Sequence, residues 1–223
     1  QVNAALAANF MEQGFFTGPY NPIVINTGSK LALVDTGTSE ATLGPTKGAT
    51  GQLMANLAAA GIDANAIDTV IISHYHGDHW LGNDAFAQAY PGVKIYALEE
   101  NMKRIQGTEG NMWRSLMERW TNQATAGTKV VPPTHSANHG EVFDYGDVRI
   151  KIHHHGVAHT PGDICMQVIE DRVTYVGDIA MGNRIANIDD GSYVGTFKTY
   201  KNLQTSEGDQ LWVPGHGEPS QQL

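Results

Sequence analysis

The segment HYHGDH, residues 74–79, places three imidazoles and a carboxylate within six consecutive positions. A buried imidazole normally needs a partner for each ring nitrogen, so three this close crowd one another unless they share a bound ion. His74 and His76 are two apart, and alternate residues of a strand-like segment point the same way, so this pair can grip one ion. A turn at Gly77 would swing Asp78 and His79 toward a neighbouring position. Neutral imidazole suits zinc, and an additional carboxylate suits a second divalent ion.

The same chemistry recurs downstream. AHTPGD holds His159 before a Thr-Pro-Gly turn, YVGDIA ends a strand pattern with Asp178, and VPGHGEP places His216 in a loop after another strand. Each of these three alone would read as a structural residue. Their shared setting, in or near a loop beside an apolar β run, joins them to the first cluster.

Those groups need elements to carry them. PIVINTG (22–28) and LALVDTG (31–37) are β-rich runs joined through a GSK hairpin signal. GQLMANLAAAGI (51–62) has apolar residues at helical spacing and a glycine near its end. IDTVIISH (67–74) is an apolar, β-branched run that delivers the histidine cluster to a strand's C-terminal end. The stretch 81–122 reads as helical with one strand at 93–98, followed by the Pro/Gly-marked loop PPTHSANHG. Strand patterns follow at 148–155, 164–170 and 172–178, then a helix at 196–204 and a short strand running into a loop at 210–217. This order suggests two similar α/β halves within a single domain over 1–223, with residues 1–20 as a peripheral N-terminal segment.

Composition narrows the partners. The chain has 223 residues, 41% hydrophobic, with a net charge of −9 and no basic run, which disfavours nucleic acid and anionic membranes. No apolar stretch has the length of a membrane span. Cys165 is the single cysteine, so internal disulfides and multi-thiolate zinc sites are excluded. The sequence opens at Gln1 with no signal-peptide pattern, and the compartment and oligomeric state stay open.

With HxHxDH at 74–79, then His159, Asp178 and His216 in order, and Asp35 in LVDTG ahead of them, the chain resembles the metallo-β-lactamase superfamily from about residue 20 to 218. The resemblance implies an α/β fold, a four-layer αββα sandwich of two similar halves with the metals at the edge between the sheets. It implies that His74, His76 and His159 hold one metal. Asp78, His79 and His216 would hold the second, with Asp178 bridging both. Asp35 would orient a ligand from behind without binding metal. Aspartate rather than cysteine at 178 sets the chain apart from the cysteine-ligand β-lactamases and nearer the lactonase, glyoxalase II and organophosphate-hydrolase branches. Glyoxalase II itself is disfavoured, because little sequence follows His216 to form its C-terminal helical domain.

The expected cofactor is zinc, two per chain, with iron or manganese as alternatives. The expected reaction is hydrolysis of a carbonyl-type bond (lactone, ester, thioester or amide) in a small molecule, by a hydroxide held between two metals. Asp78 is the expected proton carrier. The rival readings are a mononuclear iron oxidoreductase resembling the persulfide dioxygenases, a β-lactam hydrolase, and a non-catalytic metal-binding protein. His153, His154 and His155 end a strand pattern and alternate faces, which leaves His155 a secondary candidate near the substrate. His135 and His139 read as solvated, Tyr75 and Trp80 as wall or core. Residues 37–50 and 180–195 are expected to shape the pocket, with Arg184 and Tyr193 as candidate lining.

Overall fold

The computed structural model describes residues 20–182, 185–205 and 211–223. Of the expected N-terminal segment, residues 1–19 lie outside this range, as does the candidate lining residue Arg184.

Ten strands form two five-stranded sheets among the described residues. The first runs β1 (Ile23–Asn26), β2 (Leu31–Val34), β3 (Ile67–Ile72), β4 (Lys94–Ala97), β5 (His135–Ser136), in that spatial order. β1 and β2 are the antiparallel hairpin expected from the GSK turn, and β2 through β5 are parallel. The crossovers and flanks carry α1 (Leu53–Ala59), α2 (Gly77–Trp80), α3 (Asn83–Ala89), α4 (Glu99–Gln106) and α5 (Thr108–Trp120). The second sheet contains β6 (Val142–Asp144), β7 (Arg149–His153), β8 (Cys165–Val168), β9 (Val173–Met181) and β10 (Leu211–His216), ordered β10-β9-β8-β7-β6. α6 (Tyr193–Thr205) leads toward β10.

Three clusters of buried side chains define four layers. Because strand side chains alternate, neighbouring residues of one strand serve different interfaces. Leu33, Val70 and Ile72 pack with Leu57, Trp80, Phe86 and Ile105 on the helical side of the first sheet. Ala32, Val34 and Ile71 face the other way, meeting Ile150, Ile152, Met166 and Val168 of the second sheet. Cys165, Val176 and Trp212 then turn outward and pack with Leu203 of α6. The result is a helix–sheet–sheet–helix sandwich, the four-layer arrangement that the resemblance implies. Strands buried on both faces read as continuous apolar runs, as residues 70–72 do at the centre of IDTVIISH.

Four strand ends meet at one edge. β2 and β3 are parallel neighbours, so the residues after Val34 and Ile72 emerge side by side, tied by Asp35 N donating to Ile71 O at 3.0 Å. β9 and β10 are the parallel pair of the second sheet, and they carry Asp178 and His216 to the same edge. Parallel pairing aligns C-terminal ends, where α/β folds place their ligands.

Candidate metal centre

His74 and His76 follow β3, His74 in a bend and His76 in extended backbone, and the expected turn at Gly77 is instead the start of the short helix α2, which carries Asp78 and His79. His159 lies in the loop between β7 and β8. Asp178 sits inside β9, which continues to Met181, and His216 is the last residue of β10 rather than a loop residue. Register irregularities on both sides of Pro214 and a positive φ of 56° at Gly177 break the regular ladder where these two side chains turn into the site. All seven candidate ligands come together.

Their donor atoms form three groups: His74, His76 and His159; His74, His79 and Asp178; and Asp78, His79 and His216, each within 4.8 Å of one another. The three rings of the first group stand 4.7–4.9 Å apart, and His76 Nδ1 faces His159 Nε2 at 3.0 Å. In the third group His216 Nε2 lies 3.2 Å from Asp78 Oδ2, and the same nitrogen is 3.4 Å from Asp178 Oδ2. Asp178 links the groups, its Oδ1 3.4 Å from His79 Nε2 and its Oδ2 3.7 Å from His159 Nε2.

Behind the donors sits a second set of contacts. Asp35 Oδ2 accepts from His79 Nδ1, Ser73 Oγ and Tyr175 OH, each at 2.8 Å, and its Oδ1 accepts from Ser73 N at 2.7 Å. With its Nδ1 proton held by Asp35, His79 would present Nε2 to a cation that displaces the proton there. Asp35 adopts φ 59°, a left-handed conformation that asparagine and aspartate tolerate better than most residues. His74 Nδ1 meets Ser73 Oγ at 3.0 Å, His159 Nδ1 contacts Asn187 O, and His76 Nε2 contacts Asp190 Oδ2 at 3.2 Å. Asp190 and Asn187 were not singled out from the sequence.

The residues present fit a metal. His74 Nε2, His79 Nε2 and Asp178 Oδ1 are buried without a well-formed hydrogen bond, the last two facing each other at 3.4 Å. An unsatisfied buried polar group costs about 1–3 kcal/mol, so three aimed at one place are the donor set a cation would satisfy. Gly215 closes the floor, since a Cβ there would overlap Asp178 Oδ1 and lie 3.0 Å from His79 Cε1.

Electrostatics divide the site. Burial holds His74 well below the ordinary imidazole value, lowers His76, and brings His159 down to about 4. These three are neutral, the form a metal requires. Burial also disfavours charge on His79, but Asp178, Asp78 and Asp35 outweigh it and hold His79 well above its usual value. His216 is likewise lowered by burial yet raised to about 9 by its hydrogen bonds to Asp178 and Asp78. Burial pushes the carboxyls of Asp78 and Asp178 upward, and the facing His79 and His216 more than reverse it. Without a cation, protons balance the paired carboxylates.

The site opens into a cleft of about 510 Å³. Thr38, Thr42, Thr46 and Thr50 line one part of it and Met181, Asn187, Asp189 and Asp190 another, matching the two expected loops. Trp113, Met117 and Trp120 of α5 add an apolar wall that the sequence reading did not assign to the pocket. Tyr193 lines a separate cavity of about 350 Å³ beside α6. His155 stacks near His139 and His153, away from the cleft lining. Tyr75 and Trp80 are buried core residues, and His135 and His139 are exposed, as expected.

The sequence matches the metallo-β-lactamase superfamily over residues 16–222. The chain belongs to that superfamily. Solved structures with the same fold include a metallo-β-lactamase from Pontibacter korlensis, with 15% identity and a TM-score of 0.65 over 91% of this chain and 82% of that one. The metallo-β-lactamase family protein TTHA1429 from Thermus thermophilus has 19% identity and a TM-score of 0.66, covering 92% of this chain and 73% of that one. TTHA1623, solved in a di-iron-bound form, has 18% identity and a TM-score of 0.64, covering 90% and 89%. No curated protein matches the chain. At these identities the structural likeness speaks for the fold. Superfamily membership and the clustered imidazoles and carboxylates together support metal-dependent, hydrolase-type chemistry.

Proposed function

We propose that this protein is a dinuclear zinc hydrolase that cleaves a carbonyl-type bond, a lactone, ester, thioester or amide, in a small molecule. The observation that carries the reading is Asp178, which faces His79 with one carboxylate oxygen and both His159 and His216 with the other. His74, His76 and His159 would hold one ion, Asp78, His79 and His216 the second, and Asp178 would serve both. Divalent ions bound there lower the pKa of water toward neutrality and polarise a substrate oxygen.

The chain's own groups supply the rest. Asp35 holds His79 in one tautomer through the 2.8 Å contact to Nδ1. Asp78, which lines the cleft and is one-fifth exposed, would accept a proton from the nucleophile and return it to the leaving group. The cleft volume suits a small molecule, and the net charge of −9 opposes a nucleic acid substrate.

The test is elemental analysis of the purified protein, paired with a panel of a lactone, a thioester, a carboxylic ester and a β-lactam. About two zinc ions per chain with turnover of any member supports the reading and points to its branch. A second reading is an iron oxidoreductase, favoured by the two-histidine, one-carboxylate group His74, His79 and Asp178. One iron per chain, oxygen consumption and no hydrolysis would select it.

A further inference from the structure

Resting on the hydrolase reading, we propose that the substrate carries a positive charge beside its scissile carbonyl, bound between the tryptophan wall and the acidic rim of the cleft. Trp113 and His76 are in ring contact at 4.9 Å, and His76 Nε2 reaches the Asp190 carboxylate at 3.2 Å. An aromatic surface, a ligand histidine and a carboxylate are therefore contiguous at the edge of the metal site. Trp120, 67% exposed, and Asp189 extend the same two features along the cleft. An ammonium gains from an aromatic face and from a carboxylate together, and neither surface favours an anion.

Charge balance supports the same choice. Among the described residues that line the cleft, every charged side chain other than histidine is an aspartate: Asp78, Asp178, Asp189 and Asp190. Asp35 lies directly behind His79 and adds a further carboxylate. Two divalent ions bring four positive charges and Arg104, which acts on Asp190 from outside the cleft lining, a fifth against these five negative ones, so even the loaded site offers no surplus positive charge to an anionic group. Asp189 is also tied in place, its backbone N donating to Asn187 Oδ1 at 2.8 Å and its Oδ2 accepting from Asn187 Nδ2 at 3.2 Å.

The experiment is a charge series at constant shape. Three esters of one acyl group are compared on zinc-loaded protein: the 2-(trimethylammonio)ethyl ester, its uncharged 3,3-dimethylbutyl isostere, and a carboxylate-bearing ester of similar length. In parallel, the three corresponding alcohols are titrated against tryptophan fluorescence, which reads binding without turnover. The expected result is kcat/KM about tenfold higher for the cationic ester than for its isostere, lower still for the anion, with the same order in binding. In the variant Asp189→Asn with Trp120→Ala, the cation-to-neutral ratio should fall toward one while zinc content stays at the wild-type level. Equal use of all three esters, or preference for the anion, overturns the charge assignment and leaves the hydrolase reading standing. No hydrolysis of any ester, lactone or thioester by protein holding its zinc overturns the hydrolase reading. The fluorescence order then still decides whether the cleft selects a cation.

Discussion

Asp35 concentrates the chemistry of the site behind a single metal-facing ring. Its carboxylate accepts from His79, Tyr175 and both donors of Ser73, whose hydroxyl also contacts His74. Replacing Asp35 with Ala leaves those donors buried and unpaired, and destabilisation of about 3–5 kcal/mol is expected in denaturant titrations. The milder Asp35→Asn should retain the fold and weaken binding of one zinc by about 10–100-fold, read by chelator competition. An unchanged affinity for both ions would remove Asp35 from the metal machinery. The histidines set a pH dependence for the metal-free protein. His159, held near 4 when folded, binds its proton in the unfolded chain first, so its contribution is present above about pH 6.5 and lost as pH falls toward 4. Burial raises Asp163 to about 7, which works against that trend over part of the acid range. His74 and His76 shift in the direction of His159 and reinforce it. His216, raised to about 9, contributes fully below about pH 6.5 and loses that contribution as pH rises through 9. Thermal unfolding of apo protein should therefore peak near about pH 6.5, with zinc flattening the alkaline arm. A melting temperature that climbs steadily to about pH 9 would contradict this. The ligands were legible at this scale because HxHxDH is contiguous and the others share its β-then-loop setting. Asp190 was not, since it meets His76 across 114 residues of chain and has no local pattern.

At the level of elements, two parallel strand pairs do the positioning. β2 beside β3 and β9 beside β10 bring four C-terminal ends to one edge, each supplying part of the donor set or its support. The close approach of β10 to Asp178 requires Gly215, where any Cβ would overlap Asp178 Oδ1. Gly215→Ala should destabilise the protein by about 1–3 kcal/mol and reduce bound zinc, measured together by denaturation and elemental analysis. Full zinc content with unchanged stability would show that the floor can move aside. The long apolar strands were readable from their β-branched runs, while β5 and β6 were not. β5 has two residues and β6 three, too few for alternation to register, and both sit at sheet edges. The boundaries at Asp178 and His216 also shifted, because Gly177 and Gly215 lie within strands that bend and continue past them. The tryptophan wall was hidden for another reason. Helical periodicity places Trp113 and Trp120 on α5 but cannot say which face the metal cleft will use.

Across the whole molecule, the sandwich separates stability from chemistry. The interface between the sheets is apolar, built on residues such as Ile71, Ile150, Ile152 and Met166, and the ionisable donors are confined to its edge. Ile71→Ala should cost about 2–5 kcal/mol in unfolding free energy, yet folded protein should keep its full zinc content. Loss of zinc in proportion to stability would show that the two are coupled through the core. Among the described residues no helix is long and apolar enough to cross a membrane, in line with the absence of an apolar span in the sequence. The central claim is that two divalent ions share Asp178 and that hydrolysis depends on both. The most direct measurement is zinc per chain, with ester and lactone turnover, in wild type, Asp178→Asn and the double variant His76→Ala with His79→Ala. The account expects about two ions and turnover in wild type, with loss of both in the double variant and impaired occupancy of both positions in Asp178→Asn. Hydrolysis retained by the metal-free double variant would contradict it.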